Sequence, residues 1–502
     1  MRLDSAVTHG TVGGVVVDGK RTIEGVWWTP GEQARSYGTL TVERRAVTLM
    51  LCDSSRPGPP APDDVGVLHG ESLDGQPLTL LDAFTIHRRD WITSGHNVER
   101  LTAGTLLIGA EVTAADELVF ARAVLRLRGL REWMSASSLS LDGRHSVVGP
   151  RQHFQTPTPR RGWREHMRRW SRDRHRRRRE QAPPLVVHVQ GAALTFGFTR
   201  EAGGTPFRDV SEYDAEILLE LDTAAPLPEW SERWLRPLVD LLVLANREQC
   251  VIESFVAVID EPALAEAVHP ATRVAAPDSV WSRREVEVIR PDPVELRERE
   301  IEPFRHMLLP LASFRSRTVD VLPLWFDIHR RLGGAAAFFF GTLNVGRSYQ
   351  ENRLLNLLAF AEGYHRTFLD ALPFAADVHD EVVARMLWTL EDRTQRDHYG
   401  TRLRYANEQS LRQRLRQLIE RAAEVIPELR AQAATLRNEL VDTRNQYTHF
   451  GEPGQNVLGT AELHGRVDRF LLVLEVNLLR DLGIEDELIP KLVVYAYQGR
   501  IP

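Results

Sequence analysis

The chain has 502 residues, of which 43% are hydrophobic and 26% charged, with a formal net charge of −6 at pH 7. That length exceeds a single hydrophobic core and predicts two or three domains, and the slight acidity excludes a globally basic nucleic-acid binder, so any such contact must come from a local patch. Only two cysteines occur, Cys52 and Cys250, with no Cys-x-x-Cys pair, which excludes a structural zinc site or disulfide scaffold and fits a reducing cytoplasm.

The N-terminus, Met1-Arg2-Leu3-Asp4-Ser5, lacks the basic start and apolar run of a signal peptide. No window reaches the roughly 18 apolar residues of a membrane span. The first half is punctuated like a β protein. Leu40 and Val42 alternate, as do Val47, Leu49 and Leu51 after Arg44-Arg45. The period of two recurs in Val119, Ala121, Ala123, Leu125 and Leu127, in Leu194, Phe196 and Phe198 after Leu185–Val189, and in Ile217, Leu219 and Leu221. Clusters such as Arg56-Pro57-Gly58-Pro59-Pro60 separate the runs. The pattern predicts a sandwich-like or curved antiparallel region, with one helix over Trp230–Ala245 packed on it. Trp27, Trp28, Trp91 and Trp133 are expected to fill its core.

Within this half, residues 151–184 carry a dense arginine run that includes Arg168, Arg169, Arg176 and Arg177. It is read as a linker or excursion between a first β part, 1–150, and a second, 185–298. Those four arginines are candidates for RNA contact, with Trp163 and Trp170, seven apart, able to stack bases. A solvated loop is the alternative reading.

From about residue 299 to 502 the period becomes helical. Leu354, Leu357, Leu358, Ala361, Tyr364 and Phe368 mark one amphipathic helix, and Leu411, Leu415, Leu418, Ile419, Ala422 and Val425 another. Pro427 opens a third through Leu429, Ala433, Leu436 and Leu440. Val457–Leu482 and Glu485–Ala496 complete an all-α bundle. The polar residues Glu362, His365 and Arg366 either approach a site or make structural hydrogen bonds.

The third helix runs into Arg444-Asn445-Gln446-Tyr447-Thr448-His449, just before the break Phe450-Gly451-Glu452-Pro453-Gly454. At 100° per residue, Asn445 and His449 share a face nearly opposite Leu440, with Asn438 and Asp442, and Arg444 lies on the flank. A guanidinium, an amide and an imidazole so placed suit cleavage of an RNA phosphodiester without a metal or other cofactor. The guanidinium can neutralise phosphorane charge, and the imidazole can move protons near neutral pH. A single bundle would leave this face in water. A second copy docked on it would enclose the site.

The hexapeptide at the end of an all-α C-terminal region resembles the signature of HEPN ribonucleases. Gln350–Leu354 through Glu362–Arg366, and Leu440–Asn445, are similar to the ApeA-type HEPN domain of anti-phage defence proteins. Gly25-Val26-Trp27-Trp28-Thr29-Pro30, Gly38-Thr39-Leu40, Leu68-His69-Gly70 and Gln76–Asp82 are similar to the ApeA N-terminal β domain. The arginine run departs from that pattern. The resemblance implies an α+β multidomain chain, a β-rich region followed by a HEPN bundle. It implies an endoribonuclease with Arg444, Asn445 and His449 as catalytic residues, dimeric through the HEPN domain, and an abortive-infection role in the cytoplasm. There the N-terminal region senses an unknown phage-derived trigger. The alternative it leaves open is a HEPN module that dimerises and binds RNA without cutting it, acting through a partner protein.

Overall fold

The computed structural model describes residues 15–17, 20–43, 46–52, 64–91, 96–135, 184–205, 208–262, 281–291, 307–345, 348–369, 372–449 and 454–499. The chain divides into two compact units. One comprises Met1–Arg131, Val148–Val239 and Val251–Glu295, the other Glu132–Val147, Asp240–Cys250 and Leu296–Pro502.

The first unit holds β1 (Val15–Val17), β2 (Lys20–Trp28), β3 (Ser36–Glu43), β4 (Ala46–Cys52), β5 (Asp64–Ser72), β6 (Pro77–Trp91) and β7 (His96–Ile108). It continues with β8 (Val119–Leu127), β9 (Leu185–Val189), β10 (Ala192–Thr205), β11 (Arg208–Pro226), β12 (Ile252–Pro262) and β13 (Trp281–Ile289). Strands β4-β3-β2-β5-β6-β7 pair in that order, and β4 also pairs with β7, so six antiparallel strands close into a barrel. Closure removes the free edges that an open sheet would expose. Alternation sends Leu40, Val47, Leu49, Leu51, Leu68, Leu78, Leu80 and Leu101 into one core with Ile23 and Trp27. At its end β7 turns to β13 through Leu106–Ile108, and the ladder continues as β13-β12-β8-β11-β10-β9. The expected sandwich-like region thus takes the form of a barrel running into an open sheet.

The Trp27 indole is seated by glycines. A Cβ on Gly70 would lie 2.5 Å from its ring, and one on Gly38 would lie 2.6 Å from Leu51. The alternation read for β8 holds at Ala123, Leu125 and Leu127 but not at its start, where Phe120 is buried and Val119 exposed. The ladder to β11 is irregular over the same stretch, between Glu220 and Ala225, and Phe120 lies opposite Ala225. Phe120 stacks on Trp230 at 4.4 Å, and the Trp230 indole N–H donates to its carbonyl at 3.1 Å.

Helix α1 spans Leu130–Ser135. The single helix expected at Trp230–Ala245 is built as α2 (Leu227–Trp230), a π-helical turn over Ser231–Leu235, and α3 (Arg236–Asn246). Of the four tryptophans assigned to the β core, Trp27 lies there. Trp28 is half-buried under the Arg35 guanidinium at 4.4 Å. Trp133 belongs to the helical unit instead: α1 carries it, and its indole donates to the Leu309 carbonyl at 2.9 Å. The Trp91 side chain lies outside the described residues.

The second unit continues with α4 (Thr318–Leu332), α5 (Gly334–Asn344), α6 (Gln350–Phe368), α7 (Ala376–Trp388) and α8 (Arg393–Leu403). It is completed by α9 (Leu411–Val425), α10 (Ala433–His449), α11 (Thr460–Asp481) and α12 (Ile489–Ala496). Its buried stripes are those read from the period: Leu354, Leu357, Leu358, Ala361 and Tyr364 on α6, and Leu415, Leu418, Ile419, Ala422 and Val425 on α9. Ser410 and Gln413 form a capping box that starts α9. Pro427 opens a 3-10 segment, Pro427–Gln432, and α10 begins only at Ala433. Proline suits the first turn, but Ile426 ahead of it is held out of helical geometry. Helix α11 is buried almost all round, from Phe470 to Leu479, and so carries the buried polar groups Glu475 and Asn477. Asn477 donates to the Leu418 carbonyl of α9 at 3.0 Å. Among the described residues no helix is long and apolar enough to cross a membrane.

Candidate active site

Helix α10 turns Leu436, Leu440, Val441 and Thr443 into the bundle and leaves Asn445 and His449 exposed. The wheel read from the sequence is therefore the one adopted, because the apolar residues decide the rotation of the helix and the polar ones take the opposite side. Arg444 is half-buried on the flank, and its Nη1 donates to Asn445 Oδ1 at 3.3 Å. That bond makes the Asn445 amide oxygen the acceptor and leaves its N–H donors for another partner. The Thr448 hydroxyl donates back to the Arg444 carbonyl at 2.9 Å, within the last turn. His449 is the final helical residue. The break that follows, residues 450–453, lies outside the described residues. Among the described residues no carboxylate lies within ion-pair distance of Arg444.

Other elements hold this helix end. Arg412 of α9 donates from Nη1 to Asn438 Oδ1 at 2.5 Å and from Nη2 to Asp442 Oδ1 at 2.8 Å. The second oxygen of Asp442 accepts from Asn456 Nδ2 at 2.7 Å. Buried Thr443 accepts the Leu458 backbone N–H at 3.0 Å through its hydroxyl oxygen. The chain after the motif is thereby tied back onto α10, and breaking the buried Leu458–Thr443 bond would leave a desolvated polar group. On the other flank, Arg466 of α11 meets Glu439 at 2.6 Å. Tyr447 has its pKa raised, by burial and then by the Glu351 charge, so it stays a neutral phenol at physiological pH.

Asn438 and Asp442 are visible in the sequence as members of the motif's face. Their partners Arg412 and Asn456 are not, because no local period links α9 or the segment after α10 to them. Of the polar trio on α6, His365 is fully buried, with Nε2 2.5 Å from Gln417 Oε1 and Nδ1 3.0 Å from Arg414 Nη1. Arg366 meets Glu408 at 2.5 Å. Both residues tie α6 to α9 and its approach, which is the structural role. Arg168, Arg169, Arg176 and Arg177 lie outside the described residues.

Two family models match the chain. ApeA N-terminal domain 1 matches residues 22–158, which include the barrel strands except Lys20 and Arg21 of β2, and Apea-like HEPN matches residues 355–488, which include α10 and Arg444, Asn445 and His449. No curated protein and no solved structure matches it. HEPN domains as a class dimerise and act on RNA, and this pair of domains is that of an anti-phage HEPN nuclease family. With the barrel under one match and the motif-bearing bundle under the other, the chain is an ApeA-type protein with a C-terminal HEPN domain.

Proposed function

We propose that this protein is an endoribonuclease whose site is assembled from Arg444, Asn445 and His449 of two copies of α10. The observation that carries the reading is that one helix end leaves the Asn445 amide and the His449 imidazole exposed, with the Arg444 guanidinium bonded to Asn445 from the flank. The ribose 2′-hydroxyl is the nucleophile. His449 takes its proton as the oxygen attacks phosphorus, and the partner copy's imidazole gives a proton to the departing 5′-oxygen. The P–O5′ bond breaks as the P–O2′ bond forms, which leaves a cyclic phosphate and a 5′-hydroxyl. Arg444 neutralises the charge that builds on the phosphorane. Asn445 offers its N–H donors to a phosphate oxygen or to the imidazole. RNA brings its own nucleophile, so the residues need no metal to generate one, and DNA, lacking the 2′-hydroxyl, is not cut.

A second copy on the exposed face excludes water and brings a second set of the three groups to the axis of a two-fold dimer. In the cell, this activity serves anti-phage defence by abortive infection in the cytoplasm. A nuclease that damages host RNA must be held inactive, and the β-rich unit is the element available to restrain it until a phage-derived trigger arrives.

The test compares wild type with His449→Ala and Arg444→Ala on a labelled RNA, and on the same RNA with a 2′-deoxy residue at the cut. Cleavage to a cyclic phosphate, undiminished in EDTA, is expected from wild type alone and only with the 2′-hydroxyl present. A single catalytic group of this kind is worth roughly 100- to 10,000-fold in rate. Equal behaviour of all three proteins would refute catalysis and leave a module that binds RNA without cutting it.

A further inference from the structure

The motif helix carries its Arg-Asn pair twice. Arg437-Asn438 precedes Arg444-Asn445 by seven residues. Seven residues fall about 20° short of two full turns, so the two pairs lie on nearly the same side of α10, offset by about 10.5 Å along its axis. The local geometry is repeated as well. Arg437 donates from Nε and Nη2 to Asn438 Oδ1, both at 3.2 Å, as Arg444 donates to Asn445 Oδ1 at 3.3 Å.

The upstream pair has an addition. Arg412, reaching over from α9, donates to the same Asn438 Oδ1 at 2.5 Å. Two guanidinium groups therefore converge on one neutral oxygen, whose two lone pairs they fill. Asp442 balances Arg412 at 2.8 Å, but among the described residues no carboxylate lies within ion-pair distance of Arg437. The cluster keeps an excess positive charge, and its like charges repel until an anion sits between them. Arg412 is 42% exposed, and Arg437 is partly exposed, so such an anion can approach. Planar guanidinium groups with N–H vectors to spare match the oxygens of a phosphodiester.

We infer that Arg437 and Arg412, oriented by Asn438, form a second phosphate subsite on α10 that grips the RNA backbone at a linkage neighbouring the one cut at Arg444 and His449. The inference rests on the ribonuclease reading for the identity of the anion. The subsite contacts phosphate and no base, so it contributes affinity and strand register without sequence preference. It acts on ground state and transition state alike, and its loss falls on KM rather than kcat.

The experiment uses the full chain in a His449→Ala background, which removes cleavage, and a fluorescent single-stranded RNA titrated over a salt series. Arg437→Gln is expected to weaken binding roughly tenfold, the cost of one charge-assisted contact. It also lowers the magnitude of the slope of log affinity against log salt by about 0.7, one phosphate contact on a single strand. Arg437→Lys restores the slope because it restores the charge, and Arg412→Gln lowers it as Arg437→Gln does. Arg385→Gln, on the exposed helix α7, controls for loss of charge in general and leaves the slope as it was. Affinity and slope unchanged in both Arg437→Gln and Arg412→Gln would overturn the subsite. If Arg444→Ala abolishes cleavage while Arg437→Gln binds as before, the subsite falls and the nuclease reading stands. If Arg437→Gln loses RNA while the chain with His449 intact cleaves none, the subsite stands and the nuclease reading falls.

Discussion

Arg247→Ala should unfold the HEPN unit at much lower temperature, and the deficit should shrink in acid. Arg247 Nε lies 3.0 Å from Glu475 Oε1, and the Glu475 side chain on α11 is fully buried. The Tyr497 hydroxyl donates to the other carboxylate oxygen at 2.7 Å, and the Arg247 guanidinium lies 3.9 Å from the centre of the Tyr497 ring. Burial pushes the Glu475 carboxyl above the ordinary range, with Arg247 and the Tyr497 hydrogen bond holding it down in part. Burial is the largest influence on the Arg247 charge and works against it, but the Glu475 carboxylate, Tyr497 and Asp468 together outweigh it and raise the guanidinium. Removing Arg247 strands a carboxylate in the core, which costs about 3–5 kcal/mol. For a unit of this size that is a fall in Tm of roughly 6–20 °C. Without the cation the folded Glu475 pKa rises further, so the folded state binds this proton more tightly than the unfolded one. The stability so gained is complete below the unfolded value, about 4.3, and is lost as pH rises through the folded value. The deficit against wild type is therefore largest at neutral pH and smallest near the unfolded pKa. Far-UV circular dichroism melts across that range would read it, with Glu475→Gln in the Arg247→Ala background recovering much of the loss at neutral pH. A deficit below about 1 kcal/mol, or one that grows in acid, would refute the buried ion pair as drawn.

A complementation test addresses the composite site. If a functional site needs Arg444 of one copy and His449 of the other, mixing inactive Arg444→Ala with inactive His449→Ala restores activity, to about a quarter of wild type for random two-fold pairing with one good site per mixed dimer. RNA cleavage after co-refolding measures it, and a mixture as dead as its parents means either that both groups act within one chain or that one site draws on both imidazoles. In the barrel, Gly70→Ala would set a methyl group 2.5 Å from the Trp27 ring. The indole is enclosed by core, so this overpacking should cost about 1–3 kcal/mol. Tryptophan fluorescence during urea unfolding should report a lower midpoint, and a midpoint equal to wild type would show that Trp27 moves aside freely.

Much of the architecture is legible in local pattern. The alternation at Leu40 and Val42, and at Val47, Leu49 and Leu51, identifies β3 and β4, and the register pairs Leu40 with Leu49 and Val42 with Val47. The helical stripe through Leu436 and Leu440 sets the rotation of α10, and with it the outward face of Asn445 and His449. Such features follow from the side-chain period of a strand or helix, which acts over a few residues. The start of β8 is legible only in part, because Phe120 packs on the distant Trp230 where the ladder to β11 is irregular.

The sequence by itself therefore determined the two-part α and β character of the chain, the stripes that bury, and the side of one helix end on which an asparagine and a histidine are exposed. Only the tertiary structure decided that β4 would reach β7 and shut a barrel, that Arg412 would cross from α9 to Asn438 and Asp442, and that Arg247 would find Glu475 at a separation of 228 residues. Pairings of that kind depend on how distant segments fill a shared volume and satisfy each other's buried charges, and no window short enough to show a period contains both partners.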